Sequence, residues 1–397
     1  MSEVPEASMP NLHLILVPDT RVAMGKLATY VRKSMSAKVI AVGGSNGKTS
    51  TKNLIDAALR TRLRGSISPK SFNNDIGVPL AIFPADPNQD YLVLEMGTNH
   101  HGELKPLSDM ARPDIAVITN IGAEHLEGLD DLMGVRREEA SIISGLNPQG
   151  LLVVNGDDRE LLAAVESYPG KRITFGFEDH NDLFATQVRC TTEGTTFCLN
   201  GSQREVFIPM IGQHNAANAL CAIAVARRLG LSEADAIAGL ASSARPDWRL
   251  QLVKLDDLTL LNDAYNANPS SMKAALDTLA TLESPGRRVA ILGDMKELGK
   301  ATDRYHREIG QLAGAAGLAV LVCIGEKSQL IAAEALRVGM PGTSIHHFPD
   351  AAAASAGVPR LLRRDDLVLL KASRSVHLEQ VATAIAESRG KAMRQAG

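Results

Sequence analysis

Residues Gly44 to Ser50 read GSNGKTS, a set of residue types suited to cradling phosphate. Glycines at Gly44 and Gly47 let backbone N–H groups turn toward phosphate oxygens. Lys48 offers a cation for the β- and γ-phosphates, and the Thr49 hydroxyl is an oxygen ligand for Mg²⁺. Ser45, Asn46 and Ser50 complete the loop. It is the compact G-x-x-G-K-T form; the commoner G-x-x-x-x-G-K-[ST] pattern has Gly where Val42 stands here. The flanks fit the chemistry. An apolar run, Val39 to Val42, precedes the loop as a buried strand would, and Ser50 to Arg62 can continue as a helix. A helix N-terminus adds a partial positive charge. The expected ligand is a nucleoside triphosphate with Mg²⁺.

Other reactive types follow apolar runs along the chain. Glu95 ends the run Tyr91–Leu94, and a carboxylate there can reach the Mg²⁺ of Thr49, since Mg²⁺ prefers oxygen ligands. His125 follows the run Ile115–Thr119 and is read as a second-metal ligand, a phosphate-orienting group or a structural histidine. The stretch SPKSFNNDIGVP carries Asn73 and Asn74, paired amides that suit a polar substrate or simply an Asn-rich turn. Asn215 and Asn218 lie one helical turn apart, with donors and acceptors that match an adenine edge or a ribose. Arg245 and Arg249 are both placed to bridge a phosphate across a cleft. Three polar loops follow three strands of the second half: Asn262 to Pro269, Gly293 to Gly299, and Lys371 to Arg374. Together they make a wall to face the ATP of the first half.

The elements that must position these residues alternate between strand and helix patterns, which predicts α/β architecture. The expected fold is a central P-loop mononucleotide-binding domain with a mainly parallel sheet, followed by a C-terminal doubly wound, Rossmann-like domain. Expected boundaries are a lead-in over 1–36, a central domain over 37–243 and a second domain over 244–397, with the junction at the segment ASSARP. The lead-in predicts a strand over Leu12 to Val17 and a helix over Val22 to Lys33. Residues Leu183 to Pro209 read as a small antiparallel insert. In the second half a helix is expected over Asp350 to Leu362.

Composition narrows the class. The 397 residues are 45% hydrophobic but only 4% aromatic, so the core must be aliphatic. A net charge of −3 gives no basic field for nucleic acid. Four cysteines without C-x-x-C spacing read as thiols in a reducing compartment. No apolar run reaches membrane-spanning length, and MSEVPEASMP lacks the marks of a secretory signal. A cytoplasmic location is expected.

The segments GSNGKTSTK, FNNDIGVPL, EMGTNHHGEL, ARPDIAVITNIGAEHLEG, GQHNAANALCAIA, DAYNANPSSM, LGDMKELG and KASRS appear in the order found in the Mur ligases, which the chain resembles from about Val17 to Glu379. Mur ligases are ATP-dependent amide-bond-forming enzymes, and the last segments point to the MurF-type branch. The resemblance implies that Lys48 and Thr49 hold phosphate and Mg²⁺. It implies that Glu95 binds Mg²⁺ and that His125 binds a second metal. Asn215 and Asn218 would flank adenine. Arg249 at the hinge and Asp263 would stand near ATP. Tyr265, Asn266, Asn268, the Asp294 loop and Ser373 would surround the incoming amine.

Two departures from the family pattern stand out. The branch carries an additional N-terminal domain that holds the UDP part of its acceptor, and residues 1–36 are too short for an independent core. A partner chain that supplies such a domain is therefore one expectation. The family also has a carbamylated lysine at the position of Glu139, which is read here either as an anion replacing the carbamate at the second metal or as a helix-surface acid. In addition, Trp248 precedes Arg249 where the family has Gly.

The implied reaction is activation of a carboxylate as an acyl phosphate, then attack by an amine. The substrates are an acid acceptor of peptidoglycan-precursor type and an amino acid or dipeptide such as D-alanyl-D-alanine. The alternatives are a Mur-type ligase with a non-UDP acceptor and a non-catalytic ATP-binding subunit.

Overall fold

The computed structural model describes residues 15–390. Half of the strand expected over Leu12 to Val17 lies outside the described residues, and Ile15 to Val17 are irregular and exposed. Helix α1 (Thr20–Lys33) begins where the Asp19 carboxylate accepts from the N–H groups of Arg21 and Val22. Its end matches the expected one.

Nine strands form the central sheet: β1 (Lys38–Gly43), β2 (Gly65–Ile67), β3 (Tyr91–Glu95), β4 (Ile115–Ile118), β5 (Leu151–Asn155), β6 (Lys171–Gly176), β7 (Leu183–Cys190), β8 (Thr195–Leu199) and β9 (Glu205–Ile208). Their order is β2-β3-β1-β4-β5-β6-β7-β8-β9. Pairing is parallel from β2 through β7 and antiparallel from β7 to β9. The antiparallel segment is therefore no separate insert. It extends the sheet, because β7 pairs with β6 through Phe175 and Leu183.

The aliphatic runs of β1, β3 and β4 are buried on both faces, as parallel sheets covered by helices require. Helix α2 (Lys48–Leu59) and the helices Gln213–Arg228 and Glu233–Ala241 cover one face. Helices α1, α3 (Gly77–Ile82) and α4 (Leu104–Ala111) cover the other. No helix was expected over α3 or α4. Helix α3 has only six residues, too few to display a helical period.

The second domain holds six strands: β10 (Gln251–Lys254), β11 (Thr259–Asn262), β12 (Arg288–Gly293), β13 (Val320–Ile324), β14 (Ile345–Phe348) and β15 (Leu367–Lys371). Their order is β10-β11-β15-β12-β13-β14, parallel except for β10. Helices Pro269–Thr281, Thr302–Ala315 and Gln329–Arg337 pack on one face, and Ala351–Gly357 and Leu378–Ser388 on the other. The doubly wound expectation is met. The helix expected to reach Leu362 stops at Gly357, and a 3₁₀ turn follows that contains Pro359, which has no N–H to continue the ladder. The edge strands β10 and β14 are short and only half buried, so neither stands out as an apolar run.

Strand order positions the site. β1 lies between β3 and β4, with Val42 opposite Glu95 and Gly43 opposite Ile118. Three carboxyl ends thus lie side by side, where ligands bind in open α/β sheets. Among the described residues no helix is long and apolar enough to cross a membrane.

Candidate active site

The phosphate loop needs its glycines. Gly44 has φ +109°, and a Cβ there would lie 2.2 Å from the Thr119 hydroxyl oxygen. Gly47 has φ +83°, and its Cβ would lie 2.8 Å from Asn218 Oδ1. Both positions combine the left-handed region with close approach, which only Gly tolerates without strain. Gly47 offers no side-chain cap to α2, so the helix begins at Lys48 without a capping acceptor from that position. The Asn46 N–H donates to Asn120 Oδ1 at 3.0 Å, tying the loop to the end of β4. Lys48 Nζ donates to the Gly44 carbonyl at 2.6 Å and stands 3.7 Å from Glu124.

Glu95 is buried at the carboxyl end of β3. Its Oε2 accepts from the Thr49 hydroxyl at 3.0 Å, and its Oε1 accepts from the Asn73 amide at 3.1 Å. Lys52 Nζ approaches the same Oε2 at 3.1 Å. Thr49 and Glu95 thus form the oxygen pair expected for Mg²⁺. From the second domain, Arg249 donates to the Thr49 hydroxyl at 3.1 Å. Its guanidinium also stacks 4.2 Å above the Tyr265 ring, and the Tyr265 hydroxyl meets Ser71. Arg245 donates instead to the Glu193 carbonyl, so Arg249 is the arginine that reaches the phosphate loop. Trp248 and Leu250, on either side of Arg249, have φ +56° and +48°. Where the family has Gly, Trp248 takes the left-handed conformation and lays its ring under the Arg374 guanidinium, 4.0 Å away.

The acids around Lys48 govern the charge of the site. Burial raises the Glu124 carboxyl above its usual range, against the pull of Lys48 and His125. Glu139 is no surface acid: it is 1% exposed and accepts from the Gly44 N–H at 2.6 Å. Burial, with Glu124 adding and Lys48 opposing, pushes its carboxyl up to about 7. Burial works against the charge of Lys48, yet Glu124, Glu139 and Glu95 together raise its pKa. His125 has φ +50° and brings Nδ1 to Glu297 of the second domain at 2.5 Å. Burial opposes its charge, but Glu297 and Glu124 outweigh it and raise its pKa.

Among the described residues no three of His, Cys, Asp and Glu converge into a metal cage. His125 and Glu139, both expected at a second metal, contact Glu297 and the Gly44 amide here. Thr49 and Glu95 still suit Mg²⁺, which takes one or two protein oxygens and leaves the rest of its shell to phosphates and water.

A cavity of about 490 Å³ joins these groups and is walled by both domains. Its lining includes Asn155 and Phe175, paired across β5 and β6, with Asn215 and Asn218, and also Ser71, Asn73, Tyr265 and Asn266. The buried pair Asn215 and Asn218 are linked at 3.0 Å, on the helix packed beside α2. Asp263 lines the wall and is held by Lys371 at 2.6 Å. Asn268 lines it too, but its side chain caps the helix Pro269–Thr281 and donates to Asn46 of the phosphate loop at 2.9 Å.

Three expected substrate residues fall outside this wall. Asn74 accepts from the Gly77 N–H at 2.8 Å and shapes the turn into α3. Asp294 accepts from the Ser328 N–H at 2.8 Å and from Lys296, which pins loops within the second domain. Ser373 accepts from the Lys296 N–H at 2.8 Å in the same knot. In each, a polar side chain in a loop satisfies the backbone instead of facing the cavity. Conversely, Lys52, Glu124, Asn155, Phe175 and Lys371 belong to the site or its support and were not singled out from sequence. Lys52, Glu124 and Lys371 did lie inside motifs, which was the available signal.

A two-domain molecule with a phosphate loop, a facing arginine and a cavity between the lobes is the architecture of the Mur ligases. The family comparison agrees: residues 42–226 match the Mur ligase middle domain and 248–374 the Mur ligase, glutamate ligase domain. The chain belongs to the Mur ligase family, ATP-dependent enzymes that form an amide bond with release of ADP. Its relatives include the UDP-N-acetylmuramoyl-tripeptide–D-alanyl-D-alanine ligase of Bacillus subtilis, 38% identical over 95% of this chain and 82% of that protein. The same-named ligase of Escherichia coli is also 38% identical, over 95% and 83%. A crystal structure of MurF from Acinetobacter baumannii superposes with a TM-score of 0.85 at 31% identity, covering 94% of this chain and 82% of that one. The expected partner chain with an acceptor-binding domain gains no support from these relatives.

Proposed function

We propose that this ligase joins D-alanyl-D-alanine, or a closely similar dipeptide, to the carboxylate of a UDP-muramyl tripeptide in the cytoplasm, with Mg²⁺. The relatives that carry this activity in their names, 38% identical over nearly the whole chain, support the substrate. The observation that carries the chemistry is the line from Glu95 through Thr49 to Arg249 and Tyr265, which crosses from one domain to the other beside the phosphate loop.

An oxygen of the acceptor carboxylate attacks the γ-phosphorus of ATP. The bond from phosphorus to the ADP oxygen breaks, leaving an acyl phosphate. The dipeptide amine then attacks the acyl carbon, the carbon–oxygen bond to phosphate breaks, and the nitrogen gives up a proton as the amide forms. Lys48 and the loop amides neutralise the transferring phosphoryl group, and Arg249 adds charge from the opposite lobe. Thr49 and Glu95 would hold Mg²⁺, which supplies charge neutralisation on the phosphates. Asn215 and Asn218, with Phe175 beside them, form the adenine end. Tyr265, Asn266, Ser71 and Asn73 form the end where acid and amine meet. Asp263 and Lys371 hold that wall in place. Closure of the second domain over the cavity aligns the amine with the acyl phosphate.

The test is product formation followed by mass spectrometry, with ATP, Mg²⁺, UDP-muramyl tripeptide and D-alanyl-D-alanine, each omitted in turn. Amide product and stoichiometric phosphate are expected only with all four. Lys48→Ala should abolish both. Phosphate release at wild-type rate in Lys48→Ala would overturn the assignment of the loop.

A further inference from the structure

Lys52 is a buried lysine that the steps above do not use. It lies in α2, four residues after Lys48, and is 1% exposed. Lysine is almost never fully buried unless paired. Its three donors have three acceptors: Glu95 Oε2 at 3.1 Å, the Ser68 carbonyl at 2.9 Å, and the Lys70 carbonyl. The Ser68 hydroxyl in turn accepts from the Glu95 N–H at 3.0 Å. The segment these carbonyls anchor continues into Ser71 and Asn73, both on the cavity wall. The Asn73 carbonyl accepts from the Gly97 N–H at 2.9 Å, just past Glu95. One ammonium therefore ties three parts together: the helix that starts at the phosphate loop, the carboxylate beside Thr49, and the loop at the substrate end.

We infer that Lys52 is a positioning residue, which sets Glu95 and the loop of residues 68–74 relative to the phosphate loop without touching nucleotide or substrate. The inference rests on the ligase reading of the site. Removing the ammonium frees two carbonyls and leaves Glu95 buried with one fewer partner. The nucleotide cradle itself, built from Gly44, Gly47 and Lys48, keeps its contacts. The defect should therefore fall on turnover and on the mobility of the loop, and far less on nucleotide affinity.

The experiment uses the full chain as Lys52→Met, with Lys52→Met/Glu95→Gln as a second variant that leaves no unpaired buried charge. In hydrogen exchange of the unliganded proteins, peptides over residues 66–74 should exchange at least tenfold faster in both variants, while β1 and α2 keep wild-type protection. In Lys52→Met, kcat for phosphate release should fall at least 30-fold, with Mg²⁺-ADP affinity by calorimetry within threefold of wild type. Wild-type protection over 66–74 in the double variant would overturn the inference. So would an equal loss of protection across β1 and α2 in that variant, or a kcat within threefold in Lys52→Met. If Lys52→Met does not fold, the double variant decides. Absence of any ATP-dependent product from the wild-type protein would refute the ligase reading instead, and the exchange result would stand apart from it.

Discussion

Two glycines share one φ and differ in their surroundings, which allows a controlled test of the phosphate loop. Gly47 and Gly102 both have φ +83°. A Cβ at Gly102 would meet nothing within 4 Å, whereas at Gly47 it would lie 2.8 Å from Asn218 Oδ1 and 3.2 Å from its Nδ2. Placing Ala in the left-handed region costs about 1–2 kcal/mol at either site. At Gly47 the Asn218 amide must also move. It is buried and donates to Asn215, so its displacement adds the loss of that bond, about 1 kcal/mol. Gly102→Ala should therefore destabilise the protein by about 1–2 kcal/mol and Gly47→Ala by about 2–3 kcal/mol. Asn218 lines the cavity, so the extra term should also appear as a weaker nucleotide affinity, roughly five- to tenfold for 1 kcal/mol or slightly more. Urea unfolding of both variants gives the stabilities, and calorimetric titration with Mg²⁺-ADP gives the affinities. If Gly47→Ala loses no more stability than Gly102→Ala and binds ADP as well as wild type, then the close packing of loop against Asn218 is wrong. The placement of the adenine end beside the loop falls with it.

Other predictions follow from single contacts. Arg249→Leu should slow phosphate release by roughly 10²–10³, because a preorganised charge at the transferring group is lost, while the melting temperature changes little; near wild-type release would remove Arg249 from the reaction. Lys371→Met should cost about 1–3 kcal/mol of stability, since Asp263, partly exposed on the cavity wall, loses its cation, and Asp263→Asn in the same chain should recover much of it. Urea midpoints of the single and double variants would check this. His306 is buried, accepts from the Met295 N–H through Nε2, and meets the Thr302 carbonyl through Nδ1, so it is held neutral. Burial lowers its pKa below 6.5, so its contribution is present above that pH and is lost as pH falls. Melting temperature against pH from 8 to 5 should fall more steeply for wild type than for His306→Gln below about 6.5; parallel curves would count against it.

Local chemistry determined a good part of this protein. The glycine turn with Lys48 and Thr49 was legible because phosphate binding needs those residue types at adjacent positions. The buried parallel strands were legible because a strand covered on both faces must be aliphatic throughout, as in Leu92 to Leu94 and Ala116 to Ile118. Short or mixed elements were not: β2 has three residues, and α3 hides in a polar stretch around its Asn74 turn. What tertiary structure alone decided was adjacency. Strand order brings the ends of β1, β3 and β4 together, and no spacing along the chain states that order. It also decided which polar groups face the cavity. Asp294 and Ser373 look like site residues in their motifs, yet they satisfy backbone N–H groups within one domain. Lys52 reads as an ordinary charge in its helix, and Glu139 either as an anion facing a second metal or as a helix-surface acid, yet packing buries both. A buried charge must find its partner across the fold, and that partner is set by geometry, which for Lys52 lies 43 residues away at Glu95 and for Glu139 lies 95 residues away at Gly44.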